Sequence, residues 1–196
     1  MLDDWFVNEV KPRMKGKCFL IRFADDFIIG CQLKSDAERL MELLPKRFDR
    51  FKLSLHPEKT RMIHFGRPSG GGKRKGTFDF LGFTFYWSKS RNGNWVIKKK
   101  TARKRLNRFL RMLWGWCKAS RHDPIELQHD ILCSKLRGFY QYFGVRSNYK
   151  ALEVAFEYAE KAWRRWLSRR SSKGVVLFDD LRKRYPLPIP RIVHNI

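Results

Sequence analysis

The chain has 196 residues, with 43 Lys+Arg against 19 Asp+Glu and a net charge of +24. Its 43% hydrophobic and 15% aromatic content supplies enough apolar surface to order a core, which excludes a disordered chain, and the length suits one domain or two small ones. Such an excess of cation points to a polyanionic partner, nucleic acid first and an anionic membrane surface second. No apolar run approaches the roughly 18 residues needed to span a bilayer. Residues 1–10 carry acids and no apolar signal core, so a standard signal peptide is not expected and a cytoplasmic location is. Cys18, Cys31, Cys117 and Cys133 form no C-x-x-C pair and read as reduced core thiols. His56, His64, His122, His129 and His194 have no metal-ligand spacing.

In chain order, residues 17–22 and 27–31 are short strand-like runs, joined across residues 23–26 by too few residues for anything but a hairpin turn. A helix is expected from Ser35, which stands three residues before Glu38 in capping-box spacing. Ala37, Leu40, Met41, Leu44, Phe48 and Phe51 give it one apolar face, with Pro45 as a kink. Residues 61–65 read as a strand, and residues 66–76 as a basic, glycine-rich loop. Residues 77–87 are strongly β-prone. With the Asn92-Gly93-Asn94 turn and the returning run Trp95-Val96-Ile97 they predict a second hairpin.

Beyond residue 97 the period becomes helical. Leu106, Phe109, Leu110, Leu113, Trp114 and Cys117 form one stripe. Leu132, Leu136, Phe139, Tyr140 and Phe143 form a second, beginning near Asp123-Pro124. Leu152, Ala155, Phe156, Ala159, Trp163, Trp166 and Leu167 form a third. The proline-containing basic tail from Ser171 reads as mostly irregular. The expected class is α+β: hairpins and a helix over residues 1–97, a three-helix bundle over 98–170 and a tail over 171–196.

Asp25 and Asp26 stand at the first hairpin's tip. Asp favours turns, so a solvated turn accounts for them in the simplest way. Adjacent carboxylates on a rigid turn also suit Mg²⁺, a hard cation that takes carboxylate oxygens and keeps sites for substrate phosphates. The surrounding residues bear on this choice. Phe23-Ala24-Asp25-Asp26 resembles the aromatic-Ala-Asp-Asp box of reverse transcriptases. The longer string Leu20-Ile21-Arg22-Phe23-Ala24-Asp25-Asp26-Phe27 resembles the version in group II intron-encoded reverse transcriptase/maturases, which more often carry Tyr at the place of Phe23. Leu55-His56-Pro57-Glu58-Lys59-Thr60 resembles the next palm motif of that family. Phe80-Leu81-Gly82-Phe83 resembles its primer-grip hairpin. Residues 135–143 resemble the thumb, or maturase, helix that contacts intron RNA.

The resemblance implies a fold of palm followed by helical thumb. It implies an RNA-directed DNA polymerase that also binds group II intron RNA for splicing and retrohoming, with intron RNA and RNA/DNA primer-template as partners. Asp25 and Asp26 would hold Mg²⁺ as catalytic ligands. Lys59 would lie at the incoming nucleotide's phosphates, and Phe80, Leu81, Gly82 and Phe83 would support the primer end. The family's metal site uses a third carboxylate from an earlier palm strand. Among residues 1–24 the acids are Asp3, Asp4 and Glu9, which match the segment just before the box. The chain is therefore expected to lack the fingers and that aspartate, to be inactive alone, and to work with an N-terminal reverse transcriptase fragment. A catalytically dead RNA-binding remnant is the rival reading, as is a fragment of a CRISPR-associated or retron lineage; a cationic membrane-surface protein is a third.

Residues 98–121 hold ten Lys/Arg and no acid, an unmixed sign that a merely solvated helix face does not need. Lys98, Lys99, Lys100, Arg103, Lys104, Arg105 and Arg108 are the expected RNA contacts there, on the same helix as the first apolar stripe. Lys161, Arg164, Arg165, Arg169, Arg170 and Lys173 play that part on the third helix. Lys135, Arg137, Tyr140 and Tyr142 complete the expected surface, the two tyrosines as stacking partners for unpaired bases. Trp114, Trp116, Trp163 and Trp166 are expected in the core.

Overall fold

The computed structural model describes residues 2–68, 76–171 and 174–194. Most of the basic loop expected over 66–76, and Lys173, lie outside these residues. The chain divides into two compact units, Met1–Gly66 and Arg67–Ile196. Helices and two small antiparallel sheets make it a mixed α and β protein.

The first unit opens with a helical run that sequence reading did not anticipate. Helix α1 (Leu2–Trp5) passes into a π-helical turn (Phe6–Val10) and a 3₁₀ turn (Lys11–Arg13). Leu2, Trp5, Phe6 and Val10 face inward from it. Strands β1 (Cys18–Phe23) and β2 (Asp26–Cys31) pair from Cys18↔Cys31 to Phe23↔Asp26. Because side chains alternate across a strand, Cys18, Leu20, Phe27, Ile29 and Cys31 share one face. That face packs with Leu40 and Leu44 of helix α2 (Lys34–Asp49), and Phe27 stacks on Phe48 at 5.9 Å.

One local expectation fails at α2. The capping box does not form, since Ser35 is already inside the helix and Leu33 is the N-cap, without a side-chain cap bond. Glu38 pairs instead with Lys34 one turn back, at 2.9 Å. Asp36, buried in the first turn, accepts the backbone N–H groups of Lys15 (3.3 Å) and Gly16 (2.8 Å). A carboxylate is well placed there beside the positive end of the helix dipole. The helix also runs on through Pro45 to Asp49. Residues 61–65 are not a strand: a β-prone run needs a neighbour's free edge, and among the described residues β1 and β2 pair only with each other.

In the second unit, strands β3 (Phe78–Phe80), β4 (Phe83–Lys89) and β5 (Trp95–Thr101) form an antiparallel sheet in that order. The apolar run 77–87 is therefore not one strand. It reverses at Leu81-Gly82, both with positive φ (49° and 78°), the backbone of a two-residue hairpin turn. Lys98, Lys99 and Lys100 lie on β5 rather than on the following helix, because pairing with β4 carries the strand on to Thr101.

Helices α3 (Arg103–Ala119), α4 (Ile125–Phe143) and α5 (Tyr149–Leu167) follow, as their apolar stripes predict. Leu113, Cys117, Leu132, Leu136, Leu152 and Trp163 are almost wholly buried between them, each large apolar side chain stabilising by about 1.5–3 kcal/mol. The Trp163 indole N–H donates to Gln128 Oε1 at 3.0 Å, so the buried amide and ring satisfy each other. At the α4–α5 junction, buried Asn148 accepts the Thr101 N–H (2.7 Å) and donates to Thr101 Oγ1 (2.7 Å) and the Phe143 carbonyl (2.8 Å). The sheet and helices are thus one unit, and the structural division falls at residue 66 rather than after 97. The tail is more ordered than expected. Helix α6 (Phe178–Arg184) buries Leu181, and its Arg182 grips Glu160 of α5 with two bonds of 2.8 and 2.6 Å.

Candidate functional site

The register of the first hairpin leaves Ala24 and Asp25 as the two turn residues, with Asp26 the first residue of β2. Ala24 has φ +54°, a left-handed conformation that costs a residue with a Cβ roughly 1–2 kcal/mol. Arg22 supports that backbone. Its Nη1 donates to the Ala24 carbonyl at 2.9 Å, while Nε and Nη2 bind the Asp3 carboxylate at 2.9 and 2.6 Å. These hydrogen bonds hold the Asp3 carboxyl below the usual carboxylate range. The N-terminal helix is thereby tied to the turn, a link that sequence reading missed although both residues were in view.

Asp25 and Asp26 are both exposed, and neither carboxylate has a hydrogen-bond or ion-pair partner among the described residues. Asp26 pairs across with Phe23, so by alternation it shares the face of Phe19, Ile21, Phe23 and Ile28, opposite α2. Phe19, Ile21 and Phe23 are 56%, 50% and 66% exposed. The Phe19 ring covers Gly30, where a Cβ would fall 2.3 Å from it. The acid pair thus stands at the end of an open apolar face. Two unpartnered carboxylates are suitable oxygen donors for one hydrated divalent cation. No group of three or more His, Cys, Asp or Glu able to hold a metal occurs among the described residues. Lys59 lies in a turn where its own N–H and that of Thr60 donate to the His56 carbonyl (3.1 and 2.9 Å). Its side chain is exposed and is not ion-paired to Asp25 or Asp26.

In the second unit, Phe80-Leu81-Gly82-Phe83 forms the β3–β4 turn, braced from α4. The Tyr142 hydroxyl donates to the Leu81 carbonyl at 2.9 Å. The Phe83 ring stacks on Tyr142 (5.9 Å) and meets Phe143 edge-on (5.2 Å). Tyr142, expected at the nucleic-acid surface, is half exposed and already committed to this turn. Tyr140, expected beside it, is only 3% exposed. Its ring packs in the core and is not available for stacking, since α4 turns positions 132, 136 and 140 to one inward stripe.

The basic residues fare differently. Arg103, Lys104, Arg105, Arg108 and Arg137 are exposed, as are Lys100 and Arg165, while Lys98, Lys99, Lys135 and Arg164 are half-buried. Several lie on aromatic rings: Lys99 over Phe83 (5.9 Å), Lys135 over Trp116 (5.4 Å) and Arg164 over Phe178 (4.1 Å). The first turn of α3 carries Arg103, Lys104 and Arg105 with no acid and no side-chain cap. Cations there oppose the helix dipole, so the arrangement is unfavourable until an anion covers it.

Residues 2–85 match the family model described as Reverse transcriptase (RNA-dependent DNA polymerase). The matched range takes in both the Asp25-Asp26 turn and the β3–β4 turn. No curated protein and no solved structure matches the chain. No helix among the described residues is long and apolar enough to cross a membrane.

Proposed function

We propose that the chain serves RNA-directed DNA synthesis in a group II intron reverse transcriptase/maturase. In this reading Asp25 and Asp26 bind Mg²⁺, and the cationic surface of β5, α3 and α5 holds intron RNA. The reading rests on one observation above the rest: two exposed, unpartnered carboxylates on a braced hairpin turn, inside the segment that matches the reverse transcriptase family. When bound, Mg²⁺ would neutralise phosphate charge and activate the attacking oxygen. The chain's own residues would orient the reactants. Arg22 keeps the turn in shape, Lys59 supplies a cation for the nucleotide's phosphates, and the Phe80–Phe83 turn supports the primer end. Two-ion chemistry asks for more donors than Asp25 and Asp26, so synthesis needs a carboxylate beyond this pair.

Two measurements test this. Paramagnetic Mn²⁺ should broaden the backbone resonances of residues 24–26 before any others, and Asp25→Asn/Asp26→Asn should abolish that. RNA affinity should fall with salt with a log–log slope on the order of −4 to −5 if six phosphates are contacted. Undisturbed resonances at the turn, or a slope near zero, would refute the corresponding half.

The absence of a three-ligand metal cluster among the described residues favours a second reading, RNA binding without chemistry. Mn²⁺ broadening at residues 24–26 separates the two, since the first reading requires it and the second does not. Asp25→Ala/Asp26→Ala should leave RNA binding intact under both, slightly tighter through the loss of negative charge.

A further inference from the structure

Between α3 and α5 lies a cavity of about 420 Å³, with Trp114 and Tyr158 as ring walls and Ala162 in its lining. Its volume falls in the range of small-ligand clefts, about 300–1,000 Å³. The ring centroids are 6.3 Å apart and tilted by 50°. Ala162 adds no bulk beyond its Cβ. Lys161, Arg164, Arg165 and Arg169 also line the cavity, and no acid does.

These cations are pre-positioned. Arg165 lies over the Trp114 ring (5.4 Å), Arg169 over Trp166 (5.4 Å) and Arg164 over Phe178 (4.1 Å). A guanidinium drawn to an aromatic ring spends no N–H donor on a carboxylate and keeps its donors for a phosphate. None of the three arginines pairs with a carboxylate among the described residues, and the buried Arg164 Nε has no hydrogen-bond partner. Lys161 is partly engaged, at 3.3 Å from Glu157.

We infer that this cavity receives one unstacked base of a single-stranded RNA segment, with the flanking phosphates on Arg165 and Arg169. The inference rests on the nucleic-acid reading above and names the part of the RNA this surface selects. Aromatic walls suit a base, which a duplex keeps stacked and an unpaired nucleotide offers freely. The cations on one rim suit phosphates at that base's own backbone. An acidic peptide would match the charge but leave the rings unused.

The test compares two RNA hairpins of equal length, one with a single unpaired 2-aminopurine and one fully paired, binding the full chain at fixed salt. The bulged hairpin should bind about tenfold tighter, the low end of what one stacked base contributes, and its 2-aminopurine fluorescence should be quenched. Tyr158→Ala should remove the preference and the quenching while binding of the paired hairpin is kept. R165A/R169A, two exposed positions, should reduce the preference at least threefold; it carries the test if Tyr158→Ala fails to fold. Equal affinity for the two hairpins, or a preference untouched by both variants, would overturn the cavity assignment while leaving salt-dependent RNA binding in place. So would displacement of the bulged RNA by polyglutamate or anionic vesicles at lower concentration than by unlabelled bulged RNA. Failure of both hairpins to bind at any salt would instead sink the nucleic-acid reading itself.

Discussion

Asn148→Ala should be among the most damaging single substitutions in the second unit. The side chain is 1% exposed and makes three hydrogen bonds, one accepted from the Thr101 N–H and two donated, to Thr101 Oγ1 and the Phe143 carbonyl. Each such bond contributes about 1 kcal/mol net, and a buried donor left without a partner costs about 1–3 kcal/mol. Thr101 is only 5% exposed, so its N–H cannot turn to water. The expected loss is about 3–5 kcal/mol, a large share of the roughly 5–15 kcal/mol that keeps a domain folded. Thr101→Val removes one of the three bonds and should cost about 1 kcal/mol. Urea denaturation followed by tryptophan fluorescence reports this unit, since six of the seven tryptophans lie beyond residue 66. Amide exchange at Thr101 should accelerate in parallel. A loss below about 1 kcal/mol for Asn148→Ala, with exchange at Thr101 unchanged, would refute the idea that this side chain fastens the sheet to the helices.

Other substitutions probe the first unit and the pH response. Asp36→Ala should destabilise it by about 2 kcal/mol, because the Lys15 and Gly16 N–H groups lose their acceptor; denaturation monitored at Gly16 by NMR would show it. Ala24→Gly should stabilise the hairpin by about 0.5 kcal/mol, the relief of left-handed strain less the extra chain entropy of glycine, read as slower amide exchange in β1 and β2. Burial pushes the Cys117 thiol up to about 12 from an ordinary 9.0. Its protonated form is therefore favoured by folding, so the contribution of this thiol to stability should be flat below pH 9 and fall between pH 9 and 12, by up to about 1.4 kcal/mol per pH unit. Urea midpoints across that range should fall less steeply for Cys117→Ala.

The parts of this fold legible in the sequence are those where one periodicity runs long enough to override local choices. The stripes of α3, α4 and α5 repeat over four or five turns, and helices formed where they run. The short runs either side of residues 23–26 admitted a tight hairpin and little else. Signals carried by one or two residues misled. Ser35 and Glu38 have capping spacing, yet the cap did not form because the helix begins at Lys34 and Asp36 serves another segment. Periodicity hides the turn at Leu81-Gly82 in an apolar run, since Leu81 adopts a positive φ that its residue type does not advertise; only the resemblance of residues 80–83 to a primer-grip hairpin marks it. The α1 run is brief and passes through three helical forms, so its apolar spacing is too irregular to stand out. At the acid pair, the residues and the turn were legible, but the Asp3–Arg22 brace joins positions nineteen apart. The cavity beside Trp114 depends on side chains of two helices meeting, which no single stripe reveals. Tyr140 is a different case: its place in the apolar stripe with Leu132 and Leu136 marks it as core, and the resemblance to an RNA-contacting helix pulled it to the surface.

The two-stranded sheet of the first unit has a practical consequence. A lone pair of strands presents unsatisfied backbone groups along both outer borders, and here one side also displays Phe19, Ile21 and Phe23 to water. Such a surface invites self-association whenever concentration is high and salt weakens the repulsion among the chain's many cations. Handling the protein in dilute, low-ionic-strength buffer keeps that repulsion long-ranged and the sticky ribbon apart from its copies.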